Sequence, residues 1–490
     1  MEQEVILDDP IEIPHNTLSV YTFYRSERER KKVERLMNTI LNRRPILVRG
    51  FFGEGKTRSA ALAARGIEEI ILNGDKQFIK KYGKLQIVFA LPLRKLRDEV
   101  FRNYFLDCGF KLKAHDEVCP SLKQRLKQRK DYLIALAEHM KNDNCIYQKH
   151  IDNLKQAMRN NRIIVTTHTL AILPTVLSYL MKKKPLVIFD EAEDFLERIS
   201  EGLHEDVVEA IKQIDEKLYK KIKRMLKKEQ HKYFMRHSTL KQLLRDSVFL
   251  SATFPRVIEE YYYLLVDREL DTTWVFSIGS RPKDVMIIYR DKLLWKKYSE
   301  WKATVLTQVV EISRFAVNKY NVLGIVSRNY ALTNDLQSIL EKMGYRVVSD
   351  LEKDFRKKMD VAQVIIVTTK GKLYRGVNIL RKGISDINVV IGFYQGSFQK
   401  EHYPPIADYL TELAGEEVFS TYVREMTYAK NLQSLYRFVR KKENRHVMIL
   451  FDWRFHEAFY HFFRNKLYDE IMRVEVDDLN KVADIARQYI

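Results

Sequence analysis

The stretch ILVRGFFGEGKTRSAALAA, residues 46–64, constrains the fold of this chain more than any other. A short apolar run ends at Gly50, further glycines follow at Gly53 and Gly55, and a helix-forming sequence begins at Lys56. Because glycine lacks a Cβ, the loop between the two runs can curl tightly. The pattern predicts a buried strand, a glycine-rich turn and a helix, which together form one unit of an α/β sheet.

The alternation of short apolar runs and helical stretches continues along the chain. In the first part the predicted strands are residues 45–48, 86–90, 162–167, 186–189 and 248–251. After residue 320 the predicted strands are 322–327, 345–349, 364–369, 388–392 and 447–451. Continuous apolar strands separated by helices are typical of parallel sheets covered on both faces. With 490 residues, the chain is long enough for two such units.

Two segments interrupt the first unit. Residues 104–160 are polar and basic and contain all three cysteines of the chain. Residues 196–247 have apolar side chains at helical spacing, which are Val207, Ile211, Ile214, Leu218, Ile222 and Met225. The predicted first domain comprises 1–103, 161–195 and 248–260, with a cysteine-containing insertion at 104–160 and a short helical insertion at 196–247. The predicted second domain comprises 261–490.

Composition favours a polyanionic partner. Lys and Arg number 85 against 65 Asp and Glu, a net charge of +20, and such an excess is typical of nucleic-acid binding. No apolar run reaches the length of a membrane span. The acidic N-terminus is unlike a signal peptide, and three widely spaced cysteines indicate an intracellular setting. We therefore expect a monomer in the cytoplasm, or in the nucleus of a eukaryote.

The glycine-rich turn satisfies the phosphate-loop pattern G-x-x-x-x-G-K-[ST] from Gly50 to Thr57. In such loops the backbone N–H groups surround phosphate oxygens, the lysine reaches the β- and γ-phosphates, and the hydroxyl binds Mg²⁺. This predicts that ATP and Mg²⁺ are bound. The residues assigned to ATP here are Gly50, Gly53, Glu54, Gly55, Lys56, Thr57 and Arg58.

A second acidic motif completes the predicted hydrolytic site. In LVIFDEAEDF, Asp190 and Glu191 follow directly after an apolar strand. Ligands in open parallel sheets bind at the carboxyl ends of the strands, where these two carboxylates would lie. We expect Asp190 to hold Mg²⁺ together with Thr57, and Glu191 to polarise the attacking water.

Four further stretches carry a family resemblance: LSATF (250–254), TTKGKLYRGVNI (368–379), LQSLYRFVR (432–440) and VMILFDWRF (447–455). Together with the phosphate loop and the Asp-Glu motif, they resemble a superfamily 2 DNA helicase of the XPD/DinG type over residues 45 to 456. The resemblance implies two RecA-like domains in tandem that hydrolyse ATP and move 5′ to 3′ on single-stranded or forked DNA.

The resemblance also assigns residues. Gly376 and Asn378 would contact the nucleotide. Gln433, Arg437 and Arg440 are spaced so that one helix face can present them to the γ-phosphate. The residues that would contact nucleic acid are Arg94, Thr166, Thr167 and His168.

The chain departs from the family at its cysteines and beside Asp190. Glu193 stands where the family has a histidine. Many members hold a four-iron cluster with four cysteines, whereas here the insertion has Cys108, Cys119 and Cys145, with Leu122 at an expected ligand position. His115, Asp116 or Glu117 can serve as the missing ligand. An iron–sulfur cluster, a zinc site and three metal-free buried thiols remain open.

The sequence leaves two functions open. The first is an ATP-dependent DNA helicase or translocase. The second is an ATP-driven nucleic-acid remodeller or clamp with weak unwinding, acting with a partner protein. The second insertion is short compared with the arch of the family, which favours movement or remodelling over the unwinding of long duplexes.

Overall fold

The structure is a computed structural model that describes residues 23–42, 45–50, 55–73, 76–128, 134–135, 138–139, 146–160, 163–173, 176–177, 180, 185–199, 202–214, 216–229, 231–274, 284–294, 297–318, 321–369, 386–396, 406–439, 445–464 and 471–490. The chain divides into two compact units. The first comprises 1–276 and 400–419, and the second comprises 277–399 and 420–490.

A seven-stranded parallel sheet forms the centre of the first unit, in the order β10-β1-β9-β5-β2-β4-β3. Its strands are β1 Ile46–Arg49, β2 Ile87–Leu91, β3 Gly109–Lys111, β4 Ile163–Thr167, β5 Leu186–Asp190, β9 Val248–Ser251 and β10 Asp271–Trp274. The five strands predicted for this unit are confirmed, and all their residues are buried. This burial on both faces explains why their sequences do not alternate between polar and apolar residues.

The second unit has its own seven-stranded parallel sheet, in the order β13-β14-β12-β15-β16-β11-β17. Its strands are β11 Val285–Tyr289, β12 Asn321–Ser327, β13 Val347–Ser349, β14 Val364–Thr368, β15 Asp386–Gly392, β16 Val447–Leu450 and β17 Met472–Val476. The prediction of two parallel-sheet domains in tandem is therefore confirmed.

Helices cover both sheets. Those of the first unit are Glu27–Leu41, Lys56–Asn73, Lys76–Tyr82, Arg94–Val100, His115–Val118, Pro120–Gln128, Ile146–Arg159, His168–Ile172, Ala192–Ile199, Glu205–Ile214, Glu216–Met225, His237–Leu244, Arg256–Glu260, Tyr262–Val266 and Ile406–Ala414, with a π-helix at Phe101–Phe105. Those of the second are Tyr298–Ala316, Tyr330–Lys342, Phe355–Met359, Arg454–Phe463 and Val482–Arg487, with a 3₁₀ turn at Leu479–Lys481. Helix Glu416–Leu435 continues from the first unit into the second. Across the described residues, no helix is both long and apolar enough to span a bilayer.

The division between the units differs from the predicted boundary after residue 260. Strand β10 pairs in parallel with β1, and it therefore keeps the chain in the first unit until residue 276. Residues 400–419 also return to the first unit, where the Tyr409 hydroxyl donates a hydrogen bond to the Met235 carbonyl at 2.8 Å. Neither feature has an apolar run that would have revealed it in the sequence.

The second insertion contains strands as well as helices. The predicted stripe forms two helices, Glu205–Ile214 and Glu216–Met225, in which Val207, Ile211 and Ile222 are buried. An antiparallel sheet accompanies them, in the order β6-β8-β7. Its strands are β6 Leu203–His204, β7 Leu226–Glu229 and β8 Lys232–Met235. Frequent lysines obscured this hairpin in the sequence.

Candidate nucleotide-binding and nucleic-acid site

The phosphate loop connects β1 to helix Lys56–Asn73, as predicted. Gly55 has a φ of +78°, a left-handed conformation that a side chain would strain, so glycine is required immediately before the helix. The Lys56 ammonium donates a hydrogen bond to the Gly50 carbonyl at 2.9 Å, across the mouth of the loop. Gly53 and Glu54 lie outside the described residues.

Thr57 and Asp190 meet although 133 residues separate them in the sequence. Asp190 ends β5, which is separated from β1 by β9 in the sheet order. The Thr57 hydroxyl donates to an Asp190 carboxylate oxygen at 2.9 Å. A hydroxyl and a carboxylate are the hard oxygen donors that Mg²⁺ prefers, so this pair fits the predicted magnesium site.

The surroundings of Asp190 make its negative charge costly without a cation. Burial raises the pKa of Asp190, while the Thr57 hydrogen bond and then the charges of Lys56 and His168 act in the opposite direction. A divalent cation bound here would offset that cost. Glu191, the next residue, has a φ of +49°, which is rare outside glycine. Such strained residues are concentrated at functional sites, which is consistent with the role predicted for Glu191.

Glu193, the residue that departs from the family, contacts the LSATF stretch. Its carboxylate is buried and accepts a hydrogen bond from the Thr253 hydroxyl at 2.9 Å. The Thr253 N–H in turn donates to the Ser251 hydroxyl at 3.0 Å. A glutamate at this position can accept from a hydroxyl with either oxygen. The substitution therefore links helix Ala192–Ile199 to the end of β9. Sequence reasoning identified both motifs but not this contact.

Arg58, predicted to contact ATP, is held by protein groups. Its guanidinium donates to Glu29 at 2.7 Å and to the Phe23 carbonyl. These contacts connect helix Lys56–Asn73 to helix Glu27–Leu41, which begins in the stretch preceding the phosphate loop. The prediction that Arg58 binds ATP stays untested, and the contacts in the structure are intramolecular.

The side chains of Thr166, Thr167 and His168 are buried, whereas the sequence suggested that they contact a nucleic-acid strand. The Thr167 hydroxyl accepts from the Leu170 N–H at 3.4 Å, which caps the next helix. His168 Nδ1 lies 3.3 Å from the Asp194 carboxylate. In this arrangement the three side chains lie in the interior, and the charge of His168 acts on Asp190.

Arg94 is the predicted nucleic-acid residue that reaches the surface. Its side chain is 49% exposed and forms a bidentate pair with Asp116, with N–O distances of 2.6 and 2.9 Å. The guanidinium fork matches a phosphate as well as a carboxylate. A phosphate arriving at Arg94 would therefore compete with Asp116.

In the second unit, one prediction is wrong. Helix Glu416–Leu435 ends two residues before Arg437, so a single helix face does not present Gln433 and Arg437 together. The physical reason lies in Tyr436 and Phe438, which are buried in the core just after the helix and draw the chain into a turn. Arg437 is itself buried. Arg440, Gly376 and Asn378 lie outside the described residues.

The described cysteine insertion does not fit a metal cluster. Burial, followed by the negative charge of Glu68, raises the pKa of the Cys108 thiol, although metal binding requires the thiolate. Asp116 and Glu117, two of the possible substitute ligands, are paired with arginines. Among the residues that the structure describes, no three His, Cys, Asp or Glu side chains are grouped to hold a metal ion. Cys145 lies outside them.

Comparisons with known proteins agree with this site. Residues 31–261 match the family model of the DEAD/DEAH box helicases. The solved structure XPD_APO aligns with a TM-score of 0.55 at 13% identity, covering 91% of this chain and 100% of that one. The structure XPD_Helicase aligns with a TM-score of 0.51 at 13% identity, covering 92% of this chain and 100% of that one. Xpd4 from S. tokodaii aligns with a TM-score of 0.52 at 11% identity, covering 91% of this chain and 100% of that one. A comparison with curated protein sequences finds no match.

Residues 31–261 of the first unit are therefore similar to the DEAD/DEAH box helicases. In fold, the chain resembles these XPD structures and has two RecA-like domains in tandem.

Proposed function

We propose that this protein is an ATP-driven motor that moves along single-stranded DNA in the 5′ to 3′ direction. The observation that carries the proposal is the contact between Thr57 and Asp190 beside Lys56 at the carboxyl edge of the first sheet. The net charge of +20 supports a polyanionic track. DNA as the track, and the direction of movement, are inferred from the resemblance to XPD.

In this proposal each residue has a defined task. Lys56 donates to the terminal phosphates, and Thr57 and Asp190 hold Mg²⁺, which neutralises charge on the phosphate oxygens. Glu191 orients the attacking water and accepts its proton. Gln433, Arg437 and Arg440 are assigned from the resemblance alone, in which the arginines would stabilise charge on the transferred phosphoryl group. No step requires an iron–sulfur cluster or zinc.

The direction of movement is tested by displacing streptavidin from biotinylated oligonucleotides in the presence of ATP. We expect faster displacement from a 3′-biotin end than from a 5′-biotin end, because a motor moving 5′ to 3′ arrives at the 3′ end. Equal rates with and without ATP would contradict the proposal, and the opposite end preference would overturn its direction.

A remodeller or clamp with weak unwinding, acting with a partner protein, is the second candidate. The short insertion at 196–247, whose described residues form short helices and a small antiparallel sheet, favours it. A strand-displacement assay on forked DNA distinguishes the two functions. The remodeller would displace streptavidin from single strands but would leave duplexes of more than a few turns intact.

We expect Asp116→Asn to strengthen binding to single-stranded DNA about threefold to tenfold, because it removes the charge that competes for Arg94, and exposed ion pairs are worth about 0.2–1 kcal/mol or slightly more when bidentate. Arg94→Ala should weaken binding. It should also reduce, by about one, the slope of the logarithm of the binding constant against the logarithm of the salt concentration. Fluorescence anisotropy over a salt series measures both effects.

Asp152→Asn is the matched control. Asp152 lies in the same insertion, is exposed and pairs with Lys155 at 2.7 Å, so its replacement removes the same charge. An equal gain in DNA affinity in both variants would indicate a general charge effect. It would also contradict a direct contact between Arg94 and DNA.

A further inference from the structure

Two neighbouring arginines of helix Arg94–Val100 fasten the cysteine-containing insertion to the first unit. The Arg97 side chain is 0% exposed and forms a bidentate pair with Glu117, with N–O distances of 2.9 and 2.6 Å. It also donates to the Leu112 carbonyl at 3.0 Å and to Asp98 at 2.8 Å. The Arg94–Asp116 pair lies one helical turn away and is exposed.

Glu117 connects the Arg97 contact to helix His115–Val118, which directly precedes Cys119. Its second role is to accept the Ala114 N–H at 2.7 Å, which closes the first turn of helix His115–Val118. The Cys119 N–H then donates to the His115 carbonyl at 2.7 Å and ends that helix. The position of buried Cys119 therefore follows from the contact between Arg97 and Glu117.

These contacts compete with metal binding. A bidentate guanidinium offsets the negative charge of its carboxylate partner, and the adjacent positive charge repels a cation. Asp116 and Glu117 are both in this state. The Cys108 thiol packs against the apolar core of the first unit.

We propose that the described part of the insertion takes its fold from the Arg97–Glu117 pair, supported by Arg94–Asp116, and that its described residues bind no metal. The buried Arg97–Glu117 pair stabilises the segment that a cluster or zinc ion would otherwise hold, and the exposed Arg94–Asp116 pair adds little. This inference concerns the folding of the insertion and stands independently of the motor function.

Metal content is the first test. We expect protein purified without oxygen to contain less than about 0.1 iron or zinc per chain, to lack absorption near 400 nm and to melt at the same temperature with or without a chelator. Stoichiometric iron or zinc that is lost in Cys119→Ser would overturn the proposal.

The second test compares the two pairs. Glu117→Gln leaves buried Arg97 without its carboxylate partner, and we expect the melting temperature to fall by about 5–15 °C. Asp116→Asn, the matched control at the exposed pair, should change it by no more than about 2 °C. Equal, small shifts in the two variants would contradict the proposal.

Hydrogen exchange on the wild-type protein keeps the test decisive if Glu117→Gln does not fold. The N–H groups of Ala114 and Cys119 should exchange slowly, and a chelator should leave their rates unchanged. Faster exchange of these two amides in the chelator would show that a metal holds the segment.

Discussion

Lys56→Met should reduce DNA-stimulated ATP hydrolysis by about 100-fold to 1,000-fold, the usual cost of removing one group that stabilises transition-state charge. The physical reason is that Lys56 is the cation of the phosphate loop, held 2.9 Å from the Gly50 carbonyl at the mouth of the loop. The variant should keep its melting temperature, since the side chain is only partly buried. Phosphate release with and without single-stranded DNA measures the effect.

Lys84→Ala is the control for this experiment, because Lys84 is an exposed lysine of the same unit that precedes β2. We expect its activity to match that of the wild type. Full stimulated turnover in Lys56→Met would show that the phosphate loop is not part of the active site. The proposed motor function would then be wrong.

Thr253→Ala should separate ATP hydrolysis from movement. The hydroxyl of Thr253 donates to Glu193 at 2.9 Å, and Glu193 lies on the helix that directly follows Asp190 and Glu191. We expect the contact between Thr57 and Asp190 to stay in place without it. We therefore expect hydrolysis to stay within about threefold of the wild type while translocation falls about tenfold or more, which corresponds to about 1.4 kcal/mol of coupling.

Glu193→Gln is the conservative partner in this experiment, because the amide oxygen of glutamine can still accept from Thr253. It should retain more translocation than Glu193→Ala. The Glu193→Ala and Thr253→Ala changes should be non-additive, since they break one contact. If hydrolysis and movement fall in parallel in every variant, the contact serves stability and the coupling role is wrong.

Much of the architecture could be predicted because it depends on local patterns. Strands such as β2 and β5 are buried on both faces, and their continuous apolar sequences made them recognisable. The phosphate loop was recognisable because its glycines, lysine and threonine satisfy one spacing. Edge strands such as β10 and β3 were missed, since they are short and contain polar residues.

The roles of individual polar residues were harder to predict because they depend on contacts between distant segments. Thr166 and His168 were assigned to nucleic acid, yet both side chains are buried. Arg94 was also assigned to nucleic acid and lies at the surface, but its pairing with Asp116 cannot be inferred from a separation of 22 residues. The turn at Tyr436 depends on the burial of its ring, which helical spacing does not indicate.

The sequence by itself determined the class of fold, the phosphate loop and the acidic motif, because each depends on residue types at short, regular spacing. Only the tertiary structure decided which polar groups meet: Thr57 with Asp190, Glu193 with Thr253, and Arg97 with Glu117. The physical reason is that a hydrogen bond or ion pair requires two groups within about 3 Å. The sheet order and the packing of helices on it set that distance, and the spacing of residues along the chain does not.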